Sequence, residues 1–518
     1  MTDSIRLRLK PEDFADSDKV KSAIEKAVAE PVNDWKIVRK SIDARQRQIW
    51  VDADFLVATG DDTEVAVASH HVPFKPLAPD APVVVIVGAG PAGLFAALRA
   101  IERGWKPVVV ERGKPVEERL HDIVALQKEG KLNPDSNFCF GEGGAGAFSD
   151  GKLFTRSKKR GNVKEVLGLL HQHGAKDEVM YESHPHIGSD RLPRIIKAIR
   201  ETITRNGGEI HFSTNFKRLI VEDGEVKGIA TSDGREFYGP VVLATGHSAR
   251  EVYESLDESG VRLEQKGFAM GVRLEHPQNE IDKMIYHSPK GRGQYLPPAE
   301  YKMTEQVDGR GVYSFCMCPG GVIVPSASAE GESVVNGMSA SGRSGRWANS
   351  GMVVEIRPED FPEFSNQGPL GMLRLQQAVE RRFYDESRSI NAPAQRMRDF
   401  VEGKSSKNLP SSSYVPGAHP ADMASLLPEH VGSRLRKGLE KMGKKHKGFL
   451  TNEAMLIGLE SRTSSPVRIP RDPVSMHHPD LPGLYPVGEG AGFAGGIVSS
   501  AIDGRRAVDA IIDNSLQK

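Results

Sequence analysis

The stretch VVVIVGAGPAGLFAALRAIERGWKPVVVE, residues 83–111, decides the fold of this chain. Five β-forming residues run directly into a glycine-rich turn, and a helical pattern follows the turn. A second apolar run at 107–110 then ends at Glu111. The residues at helical spacing between the two runs are Leu94, Ala97, Leu98 and Ile101. This order predicts a strand, a tight turn, a helix and a parallel second strand, which is the start of a Rossmann-like α/β unit.

Each glycine of this turn has a separate role in binding a dinucleotide. Gly88 permits the tight turn, Gly90 lets the backbone approach a pyrophosphate, and Gly93 lets the helix pack closely on the strand. Glu111 follows Gly90 by 21 positions, close to the spacing of about 20 at which an acid binds ribose hydroxyls. The helix N-terminus adds unpaired N–H groups and a partial positive charge for the phosphates. A dinucleotide site is therefore favoured over a purely structural glycine turn.

The composition is that of an ordinary globular protein with an excess of glycine. The 518 residues include 69 basic and 69 acidic side chains, so no whole-protein field attracts nucleic acid or an anionic membrane. Three cysteines exclude a disulfide framework and favour a reducing compartment. The apolar stretch 81–98 is interrupted by Gly88, Gly90 and Pro91, and the N-terminus has no secretory signal. We expect a cytoplasmic protein with neither a membrane nor a nucleic acid as its partner.

The pattern along the chain divides it into four segments. Residues 1–76 predict a small α+β domain of β-α-β-β order. Residues 81–255 predict the first part of the dinucleotide-binding domain, with a β-meander over 209–243. Residues 256–450 are less regular and predict an inserted substrate or cap domain. Residues 451–518 return to strand, glycine-rich turn and helix, and complete the dinucleotide-binding domain.

Two further glycine turns follow buried strands. One ends VVLATG at 241–246, and the other lies in GLYPVGEGAGFAGGIVSSAIDGRRA at 483–507. This layout resembles the glutathione-reductase-like class of FAD enzymes. In that class an ATG turn contacts the cofactor, a G-[DE]-G segment takes the ribityl chain, and the next helix N-terminus faces the flavin. A mobile glycine loop is the alternative for the second turn, and the presence of the first site favours flavin.

Three more stretches carry a closer resemblance. They are FGEGGAGAFSDGKL at 140–153, FCMCPGGVIVP at 315–325 with NGMS at 336–339, and ESRTSSPVRI at 460–469. They are similar to the motifs of a bacterial family of uncharacterised FAD-dependent dehydrogenases, over essentially the whole chain. The resemblance implies FAD and leaves the substrate undefined. Glu489 departs from the usual flavoprotein pattern, in which an Asp binds the ribityl chain.

The motif and the resemblance together give a set of predicted cofactor residues. The set contains backbone-approach glycines, one acid for each half of the cofactor, and two arginines. Its members are Gly88, Gly90, Pro91, Ala92, Gly93, Glu111, Arg112, Gly143, Gly144, Gly146, Thr245, Gly246, Arg462, Gly488, Glu489, Gly492, Gly496 and Ile497.

Other residues are candidates for chemistry near the flavin. The loop 141–146 has four glycines in six positions, which favours close backbone approach to the cofactor over simple flexibility. Ser149, Asp150 and Lys152 follow it and are predicted to address the polar edge of the flavin ring. Cys316 and Cys318 lie two apart in a strand-like run, so the pattern places both on one face. Adjacent same-face cysteines are poorly placed for a disulfide, so we interpret both, and Cys139 likewise, as small buried hydrophobes rather than a redox pair.

Charged clusters are the last group of candidates. The arginines at 462, 468 and 471 bind either an anion or acidic partners from another domain, and both interpretations stay open. The pair at 343 and 346 is a second anion-binding candidate. The basic run 434–447 is interpreted as solvated surface. The histidine pairs lack the Cys or acid pattern of a metal site, so no metal is predicted.

The sequence therefore predicts an FAD-dependent oxidoreductase that exchanges a hydride with a small-molecule substrate, with anionic substrates favoured by the arginines. Its predicted fold is α/β, a Rossmann-like, glutathione-reductase-like FAD-binding domain with an inserted α+β domain and a small N-terminal α+β domain. No second GxGxxG follows a strand, so NAD(P)H as electron donor would dock only transiently. The alternatives are a flavin monooxygenase or oxidase, and a non-catalytic or RNA-associated flavoprotein. The catalytic residues and the oligomeric state are not predicted.

Overall fold

The computed structural model describes residues 2–65, 70–155 and 161–516. The elements of its N-terminal part are β1 (Thr2–Leu9), α1 (Pro11–Phe14), α2 (Ser17–Val28), β2 (Val32–Asp43) and β3 (Trp50–Thr59). The strands form an antiparallel sheet of order β1–β3–β2, covered by α2. Val20 and Ile24 of that helix pack against Phe55 and Val57 of the central strand. The predicted β-α-β-β order is confirmed, with one extra short helix.

A five-stranded parallel sheet with its helices forms the second layer. Its elements are β4 (Val83–Val87), α3 (Pro91–Glu102), β5 (Lys106–Val110), α4 (Val116–Glu129), α5 (Val163–Gln172), α6 (Glu178–Tyr181), α7 (Leu192–Arg205), β6 (Glu209–His211), β10 (Val241–Leu243), β22 (Leu484–Pro486) and α15 (Ile497–Leu516). The strand order is β22–β10–β4–β5–β6. The residues of β4 alternate between two apolar cores, with Val84 and Ile86 in one and Val85 and Val87 in the other. Burial on both faces explains why the strand is continuously apolar.

A small antiparallel sheet lies between β6 and β10 in the chain. The elements of this part are β7 (Phe216–Glu222), β8 (Glu225–Thr231), β9 (Glu236–Tyr238) and α8 (Arg250–Glu258). The strand order is β7–β8–β9. The meander predicted over 209–243 is therefore shorter than expected. Its first and last strands pair in the parallel sheet instead, where β10 is fully buried between β4 and β22 and β6 forms the half-buried edge beside β5.

A seven-stranded sheet forms the largest layer. Its elements and their neighbours are β11 (Glu264–Gln265), β12 (Phe268–Pro277), α9 (Gln278–Ile285), β13 (Thr304–Val307), β14 (Arg310–Cys318), β15 (Val322–Pro325), β16 (Val335–Met338), β17 (Trp347–Ile356), α10 (Pro362–Ser365), α11 (Gly371–Ser387), β18 (Ala392–Arg396), α12 (Met397–Glu402), β19 (Ala418–Pro420), α13 (Met423–Leu426), α14 (Glu429–Lys445), β20 (Met455–Glu460) and β21 (Val467–Arg468). The strand order is β13–β14–β17–β12–β20–β18–β19. All pairings in this sheet are antiparallel except that of β18 with β19. Strand β20 pairs with β12, so the sheet extends past residue 450.

The N-terminal part contacts both larger layers. The backbone N–H of Ser183 donates to the Lys40 carbonyl at 2.9 Å, and the Lys40 ammonium pairs with Glu182 at 2.8 Å. On the other side a His287 ring nitrogen lies 3.2 Å from the Ala44 carbonyl oxygen. The mixed α/β architecture predicted from the sequence is confirmed. Within the described ranges, no helix combines the length and apolar character needed to cross a bilayer.

Candidate functional site

The carboxyl ends of three parallel strands open into one cavity of about 1250 Å³. Strands β4, β10 and β22 are neighbours in the sheet, so the turns that follow them lie side by side. The chain leaves β4 for β5 on one side and adds β10 on the other, which makes this edge the topological switch point where ligands bind in open α/β sheets. The volume exceeds the roughly 300–1,000 Å³ of a typical single-ligand pocket. There is room for two molecules.

Most of the predicted cofactor residues line this cavity. They are Gly88, Gly90, Pro91, Ala92, Glu111, Arg112, Gly144, Gly146, Thr245, Gly246, Arg462, Gly488, Glu489, Gly496 and Ile497. Three predicted residues lie outside its lining, namely Gly93, Gly143 and Gly492. A Cβ on Gly143 would meet the Ile196 side chain at 2.4 Å, and one on Gly492 would meet the Val467 carbonyl oxygen at 3.1 Å. Both glycines therefore serve packing rather than the predicted contact with a cofactor.

The first turn contains two glycines that close packing requires and one glycine that faces open space. A Cβ on Gly88, whose φ is +103°, would lie 2.5 Å from the Ala244 carbonyl oxygen. A Cβ on Gly93 would lie only 1.9 Å from the Gly88 carbonyl oxygen. At Gly90 the nearest atom would be 3.9 Å away, the Cα of Gly144. The first two positions require glycine for the fold, whereas Gly90 faces open space in which a ligand can approach the backbone.

Glu111 joins three backbone segments at the end of β5. Its carboxylate accepts hydrogen bonds from the N–H groups of Ala89 at 2.8 Å, Gly113 at 2.9 Å and Gly141 at 3.1 Å. The side chain is buried, and it contributes to the cavity lining. A carboxylate has about four acceptor positions, so one remains for a ligand hydroxyl. Glu111 therefore holds the turn in shape as well as facing the cavity.

Arg112 lines the same region with a guanidinium that is already paired. It donates to Asp135 at 2.8 Å and to Glu251 at 2.5 Å. Its Cζ also lies 4.0 Å from the centroid of the Phe140 ring. The residue therefore contributes a rigid wall to the cavity rather than a free cation.

Arg119, which the sequence reasoning missed, organises the glycine loop 141–146. Its side chain is fully buried, and burial lowers the pKa of the guanidinium to about 10. It donates to five backbone carbonyls, those of Asn137, Phe138, Gly141, Glu142 and Gly144. The available signal was its position on α4, since it falls in the buried stripe of that helix together with Val116, Ile123 and Leu126. An arginine at an otherwise apolar position of a helix indicates that its guanidinium has buried hydrogen-bond partners.

The third turn, at 488–496, is held by a buried ion pair. The Asp503 carboxylate on α15 accepts from the Gly488 N–H at 2.8 Å and from Arg471 at 2.6 and 2.9 Å. Arg471 also donates to the Pro486 carbonyl at 2.7 Å and lies over the Phe493 ring at 4.0 Å. Arg471 thus has an acidic partner inside the protein, although Asp503 lies in the same predicted segment, 451–518, and not in another domain as the ion-pair interpretation expected.

The remainder of the third turn is open toward the cavity. A Cβ on Gly495 or Gly496 would meet nothing within 4 Å, and α15 begins directly afterwards at Ile497. Glu489 is half-buried in the lining, and desolvation raises the pKa of its carboxyl to about 7 although Lys266 opposes the shift. This turn therefore offers open backbone, a helix N-terminus and one titratable carboxyl to a ligand.

Arg462 lines the cavity as part of a buried charge network. Its guanidinium donates to Glu332 at 2.7 Å, to Glu380 at 3.0 Å and to the Ser328 hydroxyl at 2.6 Å. Arg250 donates to Glu380 from the other side at 2.7 Å. Burial raises the pKa of Glu380, but the two arginines outweigh it and lower the value to about 2. The contacts of Arg462 are therefore those of the ion-pair interpretation. Its predicted role in cofactor binding is limited to forming part of the cavity lining.

His247, directly after the ATG turn, also lines the cavity. Burial, together with Arg462, Arg250 and Lys266, lowers its pKa to about 3. The imidazole is therefore neutral at physiological pH. The sequence reasoning did not single it out, although its position next to Gly246 was a usable signal.

The two cysteines of β14 differ from the prediction that they share a face. The ladder between β14 and β17 shifts register between Phe315 and Cys318, and Cys316 has a φ of +40°. Cys316 opens into the cavity and Cys318 is buried, because the irregularity rotates one residue out of alternation. Burial within the fold raises the pKa of the Cys316 thiol to about 12. All three cysteines are free, and only Cys318 is a fully buried hydrophobe.

One part of the cavity lining differs in character from the three turns, and we call it the cap wall. It consists of side chains from segments 150–154, 184–185, 300–304 and 313–318 together with Arg343. The Arg343 guanidinium pairs with Asp150 at 2.5 and 3.0 Å, and Glu300 lies 2.9 Å from the Nδ1 of His184. Lys152 donates to the Met317 carbonyl. The sequence analysis predicted Asp150 and Lys152 near the flavin ring. It did not identify Glu300 or His184, because no local sequence pattern marks either residue.

The remaining charged candidates are engaged elsewhere. Arg343 has a carboxylate partner and Arg346 lies over the Trp347 ring at 4.8 Å, so neither presents an open anion site. In the basic run, Lys437 pairs with Asp308 at 2.7 Å. Lys441 and Lys445 also contact the β13 hairpin. Among the residues that the structure describes, no three His, Cys, Asp or Glu side chains are grouped for a metal ion.

Comparisons with known protein families match three parts of the chain. Residues 267–463 match the family described as FAD-dependent protein, C-terminal domain-like, and residues 83–121 match an FAD-binding domain. Residues 1–58 match a domain of unknown function. An uncharacterized protein of Clostridium beijerinckii is 43% identical over 434 residues, which is 83% of this chain and 80% of that protein. A 4,4'-diapophytoene desaturase of a Methylomonas species is 40% identical over 52 residues, 10% of each chain.

Solved structures show partial similarity at low identity. One is a geranylgeranyl bacteriochlorophyll reductase-like protein of Thermoplasma acidophilum, with 12% identity, a TM-score of 0.35 and coverage of 84% of this chain and 80% of that one. Another is a flavin-dependent brominase with 12% identity, a TM-score of 0.36 and coverage of 84% and 79%. Both scores are low, so the family rests on the sequence matches.

Proposed function

This chain belongs to the family of FAD-dependent proteins and is an FAD-dependent oxidoreductase; from that premise we propose that it exchanges a hydride between FAD and a small-molecule substrate inside the cavity. The observation that carries the proposal is the meeting of three strand ends and two helix N-termini, those of α3 and α15, at one cavity. Partial positive charge at both helix ends favours the phosphates and the electron-rich edge of a flavin.

The residues of the three turns fit this cofactor. Gly90 and Gly496 leave open space beside the backbone, which a close approach by the pyrophosphate or the ring requires. Glu111 retains an acceptor position for a ribose hydroxyl, and Glu489 offers a carboxyl to the ribityl hydroxyls. When bound, FAD supplies hydride chemistry that no amino-acid side chain provides. The protein's own contribution is placement, exclusion of water and a fixed electrostatic environment.

We further propose a glutathione-reductase-like arrangement of domains. In it the FAD-binding domain consists of residues 81–255 and 451–518, except that β20 pairs with β12 and so belongs with residues 256–450 to the substrate side. The contribution of β22 and α15 to a parallel sheet begun at β4 supports this division. In this arrangement the cap wall binds the substrate, because its polar side chains lie outside the two helix N-termini that we assign to FAD. The cytoplasm remains the proposed location, and NAD(P)H the proposed transient donor.

The direct test is the flavin content of the purified protein. We expect visible flavin absorbance, or its recovery when the protein is mixed with FAD. Protein that lacks flavin and does not take up FAD would contradict the proposal. Anaerobic reduction of the bound flavin by NADH, NADPH and a panel of metabolites would then identify the donor. Oxygen consumption stoichiometric with donor oxidation would instead indicate an oxidase or monooxygenase.

A further inference from the structure

The charges of the cap wall do not balance. Its cations are Lys152, Lys302 and Arg343, and its carboxylates are Asp150 and Glu300. Arg343 pairs with Asp150 and lies 3.9 Å from Glu300, and Glu300 accepts from His184. Glu300 is ionised, because His184, Lys152 and Arg343 together outweigh the effect of burial and lower its pKa to about 2. One positive charge is left over, and protonation of His184, whose pKa Glu300 raises, would add to it.

The surplus charge is that of Lys302. Lys152 donates to the Met317 carbonyl, and Arg343 is paired. Lys302 is exposed, lines the cavity and has no ion-pair or hydrogen-bond partner among residues 2–65, 70–155 and 161–516. A cation without a negative partner in the protein favours an anionic ligand group over its neutral counterpart.

The cap wall also presents an uncovered aromatic surface, which His184 links to Glu300, two residues before Lys302 in the chain. Phe154 is 49% exposed, which is high for a phenylalanine in a cavity lining. Its ring meets that of His184 edge-on at 4.9 Å between centroids, so its orientation is fixed. Tyr313 and Phe315 of β14 line the same wall and are only half-buried. Uncovered aromatic rings gain free energy when a flat apolar group packs against them.

We propose that the cap wall binds a planar carboxylate, an aromatic or conjugated acid whose carboxylate pairs with Lys302 and whose flat part packs against Phe154, and that the substrate is of this class. The proposal rests on the proposed function, since it names the substrate class of that same cavity. It goes beyond the arginines of the cavity lining, Arg112, Arg343 and Arg462, whose guanidinium groups pair with acidic side chains, to a lysine of the same lining.

The experiment uses the full-length protein loaded with FAD and a panel of probes. The acids are benzoate, cinnamate and 2-naphthoate, each compared with its neutral amide, and cyclohexanecarboxylate serves as a non-planar acid. Binding is measured by the difference absorbance of the bound flavin and independently by equilibrium dialysis. We expect each planar acid to bind at least tenfold more tightly than its amide and than the non-planar acid.

Two substitutions separate the two contacts. Lys302→Met should remove the preference for acid over amide, while Lys302→Arg should retain it. Phe154→Leu should remove the preference for planar over non-planar acids and leave the acid–amide difference in place. Lys447→Met is the matched control, because Lys447 is also an exposed lysine but does not line the cavity. Its binding should equal that of the parent protein.

The results distinguish this proposal from the proposed function. If the protein holds FAD but binds amides as tightly as acids, binds none of the probes, or keeps its acid preference in Lys302→Met, the substrate class is wrong and the FAD-dependent function stands. If sulfate displaces the acids at equal concentration, the site selects negative charge alone and the proposal also fails. If the protein takes up no FAD, dialysis of the acids still tests the cap wall by itself.

Discussion

The glycine turns at 88–93 and 488–496 look alike in sequence but are stabilised differently. In the first turn the protein backbone itself demands glycine, since a Cβ at Gly88 or Gly93 would collide with a carbonyl oxygen at 2.5 or 1.9 Å. In the turn at 488–496 only part of the backbone is so confined: a Cβ at Gly490 would lie 2.5 Å from the Gly246 carbonyl oxygen, but one at Gly495 or Gly496 would meet no atom within 4 Å. The Asp503–Arg471 pair adds a side-chain support that, among the described residues, the first turn does not have from its own helix. Similar glycine patterns can thus reflect either internal packing or open space for a ligand.

The largest expected effect is that of Gly93→Ala. Its methyl group would lie 1.9 Å from the Gly88 carbonyl oxygen, and backbone cannot move aside cheaply. We expect a loss of more than about 3 kcal/mol in the free energy of unfolding of this part, seen as a lower Tm in calorimetry. Gly342→Ala is the control, because its methyl group would be 3.9 Å from the nearest atom, the Ser344 hydroxyl oxygen. An unchanged Tm for Gly93→Ala would show that the first turn is not held by packing.

Asp503→Asn should have the next largest effect, and it acts on the turn at 488–496. The substitution leaves Arg471 buried without its charge partner, which costs about 3–5 kcal/mol, and weakens the acceptor of the Gly488 N–H. We expect a lower Tm together with at least tenfold weaker FAD binding, measured by fluorescence titration. Asp509→Asn on the same helix breaks a partly exposed pair with Arg99, so it should lower the free energy of unfolding by about 1 kcal/mol or less. Equal effects of the two variants would contradict the assignment.

Gly90→Ala and Gly496→Ala should separate cofactor binding from folding. The methyl group at Gly90 would lie 3.9 Å from the nearest atom, and that at Gly496 would meet nothing within 4 Å, so the Tm of the FAD-free protein should not change. Each methyl group would occupy the space through which FAD approaches the backbone, so we expect FAD affinity to fall at least tenfold in titration. Parental affinity in both variants would mean that the cofactor does not lie beside these turns.

The smallest expected effect is the pH dependence contributed by Glu489. Burial raises the pKa of its carboxyl to about 7 in the FAD-free protein, so below pH 7 the group is protonated. Ribityl hydroxyls donate better to the carboxylate, so FAD affinity should fall as the pH drops below 7, by at most about tenfold per unit. Calorimetric titration in two buffers of different ionisation enthalpy would count the released proton.

The same group acts on stability in the opposite direction. Because its folded pKa lies above the usual 4.5, the FAD-free protein is favoured below pH 4.5 by this carboxyl and loses that contribution as the pH rises through 7. Glu489→Gln should flatten both profiles. If the pH dependence of FAD affinity persists in Glu489→Gln, another group carries it.

Local sequence was sufficient for the first turn and for the elements around it. Strand, turn and helix there are consecutive, and the role of Gly93 follows from its contact with the Gly88 carbonyl oxygen five residues earlier. The contact that requires glycine at position 88 is with Ala244, directly after β10, and could not be predicted locally. The cap wall could not be predicted in this way, because Glu300 and His184 are 116 positions apart in the chain and meet only in the folded protein. The alternation rule failed for Cys316 because a bulge in β14, visible only in the pairing with β17, reverses its side.

The strand order of the parallel sheet has a consequence for synthesis. Strand β4 leaves the ribosome early, its neighbour β10 follows only at Val241–Leu243, and β22, the neighbour of β10, follows near the end of the chain at Leu484–Pro486. Contacts of such high sequence separation form slowly, and the third turn cannot close the cavity until Leu484 and the helix after it have emerged. A nascent chain therefore carries an unfinished sheet edge for most of its translation, which makes it dependent on protection from aggregation during that time.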